Sequence, residues 1–538
     1  MSKAATATDT LTKALLGVSG ASSPAIIQRP SAPFVKHSYL REAPESAVKT
    51  GRKVCLFFDG TGNAFGQSFT NIPTMLALVS EDPAKCLTYY QTGIGTSLTY
   101  DPAWGLRQIT RKIGQIVDAG VAYSLQTHIS AGYRWLMDVY QPGDSIHIYG
   151  FSRGAFTARA LAGMLQAVGL LPYGNEETIP LAYSIFKNAT TEELISGESV
   201  SEGFRRTFSR EVCVDFVGVF DTVSSVGALY PRTLPFANRS EYIRRFRHAI
   251  SLDERRARFA YQPWIKSEGA VDKTDVLDVF FAGCHSQIGG GQFDYDGDAS
   301  GNLAHLPLIW MLKEAVEAGL DLDRLRIAKS PLFEPFWQQA LDATLPSAKQ
   351  HPGLGVYLAK VKQNNPSVNE TVAACVWYAS RPNPHATADA LAPRADVIGL
   401  EIEKRPLEVR QQMGWMARLG EWWARRTKQI TVLGWWLLEV SPTVKIVWDE
   451  EGEVRKWSFW PNLGYGRKLP KGKTLHFHYS VRERLEAKPG SFAPGNNEST
   501  PEGPDGYHFY ARFHKNQSMA NVDWVGEQEE ASTAVSAC

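Results

Sequence analysis

Cysteine is scarce in this chain: six in 538 residues, at Cys55, Cys86, Cys213, Cys284, Cys375 and Cys538, with no C-x-x-C pair. That spacing argues against a structural zinc site and against a disulfide framework, and it fits synthesis in a reducing compartment. Net charge is almost absent, at +1. No long basic run interleaves with aromatics, so nucleic acid is not an expected partner. Long apolar runs are missing as well. The longest, Ile430–Leu438, is too short to span a bilayer. Leu11–Val18 is short and interrupted by polar residues and glycine, unlike a signal peptide. The chain is expected to be soluble and cytoplasmic when made, which is compatible with later export by a route that reads no N-terminal signal.

What is present is organised around Gly150-Phe151-Ser152-Arg153-Gly154. Before it, Asp144–Tyr149 has the β-branched and aromatic composition of a strand. After it, Ala155–Val168 repeats apolar residues at three- and four-residue steps, as a helix does. A G-x-S-x-G sequence on a strand-to-helix turn holds its serine proud of a sheet, facing the free N–H groups of the helix start. Similar units recur. The strand Lys53–Phe58 runs into Asp59-Gly60-Thr61-Gly62-Asn63; Val212–Phe220 ends in Asp221-Thr222-Val223; Val276–Gly283 leads into Cys284-His285-Ser286 and three glycines. Helices are expected at Asn71–Ser80, Ile116–Tyr140 and Leu306–Leu320, and a further strand at Lys85–Gln91. This alternation predicts an α/β class protein with a mostly parallel sheet flanked by helices.

The chain exceeds the length at which one core keeps growing. We expect a disordered arm over 1–49, a catalytic domain over 50–320, a mainly helical, Trp-rich cap, lid or membrane-contact region over 321–485, and a loop-rich tail over 486–538. Eight tryptophans fall within 401–470: Trp415, Trp422, Trp423, Trp435, Trp436, Trp448, Trp457 and Trp460. They suit a packed cap, and with Arg425, Arg426 and Lys428 nearby they also suit an anionic membrane surface.

An activated serine needs a base and an acid to orient that base. Ser152, Asp221 and His285 each sit at a strand end, in the chain order Ser, Asp, His. Most other histidines lack that setting: His128 and His248 look helical, His147 lies within the serine strand, and His476, His478, His508 and His514 lie in a region without strand–loop organisation. Asp294, Asp296 and Asp298 are the substitutes for Asp221. An oxyanion hole is expected from the Arg153 N–H together with Gly60 or Thr61.

Five blocks occur in one order: F-F-D-G-T-G-N at 57–63, G-F-S-R-G-A-F-T-A-R at 150–159, V-G-V-F-D-T-V at 217–223, H-A-I-S-L-D-E-R-R at 248–256 and A-G-C-H-S-Q-I-G-G-G at 282–291. Over roughly residues 50 to 320 the chain resembles the α/β-hydrolase family that includes the type VI secretion phospholipase effectors and fungal relatives. The resemblance implies Ser152 as nucleophile, Asp221 as acid and His285 as base, acting without a cofactor on the acyl bonds of phospholipids or other ester lipids at a membrane surface. For an effector, it also implies a secretion-spike protein and an immunity protein as partners. A soluble carboxylesterase, a polyester depolymerase and a catalytically silent scaffold are the alternatives.

Two blocks depart from the family pattern. Cys284 and Gln287 stand where valine and aspartate are expected, and the Gln292–Asp298 run is long and acidic. That run fails a calcium-loop template, with Ala299 at the glycine position and His305 at the glutamate position, so no metal is expected. Asp59, Arg255 and Arg256 are candidate substrate contacts. The arginines follow Asp253-Glu254 on an expected helix, where local salt bridging competes with a role facing a lipid phosphate.

Overall fold

The computed structural model describes residues 51–60, 69–93, 113–189, 199–223, 234, 240, 242–256, 259–265, 274–291, 303–345, 351–381, 443–449, 452–458, 466–470, 474–486, 511, 513 and 518–526; for 113–124, 443–449, 452–458, 486 and 521 it describes the backbone alone. All of them belong to one compact unit, Ala43–Cys538. The expected arm over 1–49, the acidic run after Gln292, most of the tryptophan stretch and most of the tail lie outside the described residues.

In chain order the elements are β1 (Lys53–Phe58), α1 (Asn71–Leu78), β2 (Cys86–Gln91), α2 (Ile113–Val139), β3 (Ser145–Phe151), α3 (Arg153–Val168), α4 (Ile179–Asn188), α5 (Val200–Phe208), β4 (Val214–Phe220), β5 (Ile243–Ser251), β6 (Asp275–Phe281), α6 (His285–Gly289), α7 (His305–Glu317), α8 (Arg324–Lys329), α9 (Glu334–Ala343), α10 (Pro352–Asn364), α11 (Glu370–Ala379), β7 (Thr443–Asp449), β8 (Gly452–Ser458), β9 (Leu475–His478), α12 (Tyr479–Glu486) and β10 (Val522–Val525). Eight strands form one sheet in the order β10-β9-β6-β5-β4-β3-β1-β2, with every neighbouring pair parallel. The class expected from the sequence is therefore the class observed. The chain leaves β1 for β2 at one edge and returns to β3 on the other side of β1. A crevice opens at such a reversal, beyond the strands' carboxyl ends.

Alternation along the strands sorts two cores. Val54, Leu56, Phe58, Ile146, Ile148, Val217 and Val219 face α2 to α5. Cys55, Phe57, Tyr149, Phe151, Phe216 and Phe220 face α1, α7 and the helices α9 to α11. Period-two side-chain alternation accounts for this split. The second face is built from aromatic rings, with Phe57 stacked on Tyr149 at 5.0 Å. Helices drawn from 334–379 thus share a core with the sheet.

Three expectations need correction. His248 is not helical: it lies in β5, a strand hidden from sequence reading by three arginines in I-R-R-F-R-H-A-I-S. Those charges are tolerated because partners surround them; Arg247 donates to Glu314 (2.6 Å) and to Asp275 (2.7 Å). The region of His476 and His478 does have strand organisation, since β9 pairs in parallel with β6 and β10. Part of the stretch expected to be mainly helical is strand as well: β7 and β8 form an antiparallel hairpin that places Trp448 opposite Glu453 and Val444 opposite Trp457.

Candidate active site

Strand β3 stops at Phe151 and α3 starts at Arg153, leaving one residue to turn the chain. Ser152 makes that turn with φ 58° and ψ −119°, in the left-handed region that costs a non-glycine residue on the order of 1–3 kcal/mol. The flanking glycines are required by space. A Cβ on Gly150 would lie 2.5 Å from the Gly154 carbonyl oxygen, and one on Gly154 would strike the carbonyl oxygens of Phe58 and Asp59. The elbow is pinned to the sheet by the Ser152 N–H, which donates to the Phe220 carbonyl at 3.0 Å.

The carboxyl ends of β3, β4, β5 and β6 lie side by side, and three of them carry the predicted polar residues. His285 Nε2 is 2.8 Å from Ser152 Oγ, and His285 Nδ1 is 2.6 Å from Asp221 Oδ2. A carboxylate on Nδ1 keeps the proton there and leaves the Nε2 lone pair facing the serine hydroxyl. The ring is held between Phe151 and Phe259, each with its centroid 4.8 Å away. Asp221 is fully buried and, like Ser152, has positive φ, at 39°. Its Oδ1 accepts the Ser251 N–H at 3.0 Å.

Sequence reasoning missed Arg467. Its Nη1 lies 2.6 Å from Asp221 Oδ1 and its Nη2 lies 2.8 Å from Asp221 Oδ2, a two-pronged contact. Burial opposes the Asp221 anion, but the Arg467 charge, the hydrogen bond from His285 and the Arg467 fork hold the carboxyl well below the usual range. Nothing in G-Y-G-R-K-L-P marks this arginine, because its partner is far away in sequence.

The remaining candidates separate. Arg255 and Arg256 stand on an irregular segment after β5 rather than on a helix, because Glu254 turns back on the chain and accepts both of their backbone N–H groups. The Arg256 guanidinium grips Glu254 at 2.8 and 2.7 Å and lies over the Phe259 ring, so it is engaged in local pairing. Glu254 also accepts the His285 N–H at 3.2 Å. Gln287 gains a role from its departure: its Oε1 accepts the Cys284 N–H at 2.9 Å, forming a capping box that starts α6 at His285.

Asp59 is buried and occupied. Oδ1 accepts from Gly60 N–H (2.6 Å) and Thr70 Oγ1 (2.7 Å), and Oδ2 accepts from Tyr90 OH (2.9 Å). Gly60 therefore spends its N–H on Asp59 rather than on an oxyanion, which corrects that expectation. Thr61, Asp294, Asp296 and Asp298 lie outside the described residues. Arg153 opens α3, and burial lowers its guanidinium from the ordinary value. Among the described residues no helix is long and apolar enough to cross a membrane, and no group of His, Cys, Asp and Glu is placed to hold a metal ion.

Residues 52–314 match the family described as T6SS, phospholipase effector Tle1-like, catalytic domain. An uncharacterized protein of Saccharomyces cerevisiae, YEL023C, is 41% identical over 226 residues, which are 40% of this chain and 33% of the yeast protein. The chain thus spans about a third of that relative's length. Two solved structures are similar at lower levels. An uncharacterized protein from Pseudomonas aeruginosa has 17% identity and a TM-score of 0.29, covering 64% of this chain and 56% of that one. The Tle1 effector bound to the VgrG spike has 19% identity and a TM-score of 0.26, covering 46% and 52%. Segment 52–314 of this chain is thus similar to the Tle1-like phospholipase effector catalytic domain.

Proposed function

We propose that the protein is a serine hydrolase that cleaves phospholipid acyl esters. The observation that carries the reading is the continuous hydrogen-bonded series Ser152–His285–Asp221, headed by a serine on a strained elbow. Ser152 Oγ attacks the acyl carbonyl carbon while His285 Nε2 takes the hydroxyl proton. The oxyanion is received by the Arg153 N–H at the start of α3, with the Thr61 N–H as second donor. Collapse breaks the ester C–O bond, and the imidazolium returns its proton to the departing lysophospholipid oxygen. Water, deprotonated by the same ring, then releases the fatty acid and restores Ser152.

The matched family supports a lipid ester as substrate. Arg153 supports a phosphorylated one: its partly desolvated guanidinium adjoins the serine, and no carboxylate among the described residues pairs with it. Similarity to an effector family further supports a target membrane as the site of action, with a spike protein as carrier and an immunity protein as antagonist.

The test is fatty-acid release from mixed phospholipid vesicles by the wild type and by Ser152→Ala, both checked for folding by circular dichroism. Loss of the nucleophile is expected to lower kcat by roughly 10³–10⁶-fold. A folded wild type that cleaves a short soluble ester but not vesicles would replace the phospholipase with a carboxylesterase. Inactivity on both would leave a scaffold.

A further inference from the structure

An ionised carboxylate offers about four acceptor positions. At Asp221 all are taken: Oδ1 by Ser251 N–H and Arg467 Nη1, Oδ2 by His285 Nδ1 and Arg467 Nη2. The arginine supplies two of the four donors, and its remaining contacts fall on the same site. Arg467 Nε donates to the Phe259 carbonyl at 2.8 Å, and Nη1 also reaches the Ser251 carbonyl at 3.3 Å. Phe259 is the residue whose ring flanks His285. One nearly buried guanidinium thus ties together the acid, the end of β5 and a wall of the imidazole pocket.

This arrangement is more than charge balance. A planar fork fixes the plane of the carboxylate it grips, whereas a point cation leaves the carboxylate free to rotate. With Asp221 rotated, Oδ2 no longer faces Nδ1, and the ring loses the contact that aims Nε2 at the serine.

We propose that Arg467 is a positioning residue of the active site, which makes the 466–470 segment an integral part of a catalytic centre otherwise drawn from 52–314. The proposal rests on the serine-hydrolase reading above. Hydrolysis then requires this later segment to be docked, and undocking it switches the site off while Ser152 and His285 stay in place. The titratable groups facing Arg467 include Asp221, Glu254, Tyr261 and the like-charged Arg256; Glu254 is itself paired with Arg256, and burial keeps the Tyr261 phenol protonated. His248 stands behind Asp221 with its Nε2 on the Thr222 N–H.

The experiment compares kcat/KM against pH for the full-length wild type, Arg467→Lys, Arg467→Gln and Ser152→Ala on a short soluble ester. Lysine keeps the charge and loses the fork, so its kcat is expected to fall about 100-fold, the cost of a misplaced reacting group, with the acid limb unmoved. Glutamine loses both, so a similar fall is expected together with an acid limb displaced to higher pH, because removing a cation favours protonation of the Asp221–His285 pair. A folded Arg467→Gln with wild-type rate and profile overturns the proposal, as does a failure of both variants to fold, which would make Arg467 a structural anchor. Where only glutamine fails to fold, the lysine variant decides. Activity surviving in Ser152→Ala would sink the serine-hydrolase reading itself, an outcome distinct from a normal Arg467→Gln beside a dead Ser152→Ala.

Discussion

The carboxyl ends of β1 and β4 carry the same local sequence device, a buried strand closing on Phe-Asp, and put it to different uses. Asp59 and Asp221 are both buried. Asp59 accepts from three neutral donors: a backbone N–H, a threonine hydroxyl and a tyrosine hydroxyl. Around Asp221 a guanidinium and an imidazole take three of the four acceptor positions. The neutral set closes a loop by satisfying a charge. The cationic set holds an anion in one orientation against the His285 ring. What decides between them is not the strand or its aspartate but what the neighbouring strands and a distant segment deliver to it.

The largest expected effect tests that division. Asp221→Asn presents an amide to His285 Nδ1, which favours the wrong ring tautomer and leaves the Arg467 charge without its counter-ion. We expect kcat on a short ester to fall about 10⁴-fold and unfolding free energy to drop by about 3–5 kcal/mol. Asp59→Asn keeps one acceptor oxygen and removes no charge partner. It is expected to cost about 1–3 kcal/mol and to leave the rate within roughly tenfold of wild type, since the Asp59 side-chain contacts with Gly60, Thr70 and Tyr90 include no triad residue. Equal rate losses in the two variants would restore Asp59 as a substrate contact and erase the contrast.

Legibility followed distance along the chain. Ser152, Asp221 and His285 were readable because each follows its own strand directly, so local patterning already placed them at one sheet edge. The elbow was readable because G-x-S-x-G has a steric reason that needs no partner. Strand β5 was not, since Arg244, Arg245 and Arg247 resemble a polar helix face until Asp215, Glu314 and Asp275 are seen beside them. Strands β9 and β10 are four residues each and meet the sheet only after a long excursion. Arg467 is the extreme case, because its role exists only in the contact.

A middle-sized effect sharpens the comparison through pH. The native Asp221 carboxyl lies below its unfolded value, so its contribution is complete above about pH 4 and is lost as pH falls below that. Two buried histidines behave in the same sense at higher pH: burial holds His478 down to about 3 and His305 to about 4. Each ring is neutral in the fold and takes up a proton on unfolding. Stability is therefore full above about pH 6.5 and declines on acidification towards those values, by about 1.4 kcal/mol per pH unit for each ring. His478 stacks on Phe281 at 4.5 Å, and its Nδ1 accepts from the Ser480 side, which suits the neutral form. In urea melts at pH 7, 6 and 5, His478→Phe should flatten the slope by one proton. An unchanged slope would assign the acid sensitivity elsewhere.

The smallest effect probes the neutral cage. Tyr90→Phe removes one donor from Asp59 Oδ2 and leaves the Gly60 and Thr70 contacts on Oδ1. Burial first, and the Asp59 charge second, push the Tyr90 phenol up, so the hydroxyl stays a donor throughout the working pH range. A hydrogen bond to a charged group contributes about 1.5–3 kcal/mol, and the lower end applies here because Tyr90 is only half-buried and water can take its place. Thermal melting should therefore show a loss of about 1.5 kcal/mol, with ester hydrolysis unchanged within a few-fold. A rate loss of a hundredfold or more in a folded Tyr90→Phe would mean that the loop held by Asp59 lends the reaction a donor whose position the hydroxyl sets. The ends of β1 and β4 would then be two halves of one catalytic device rather than a support beside a site.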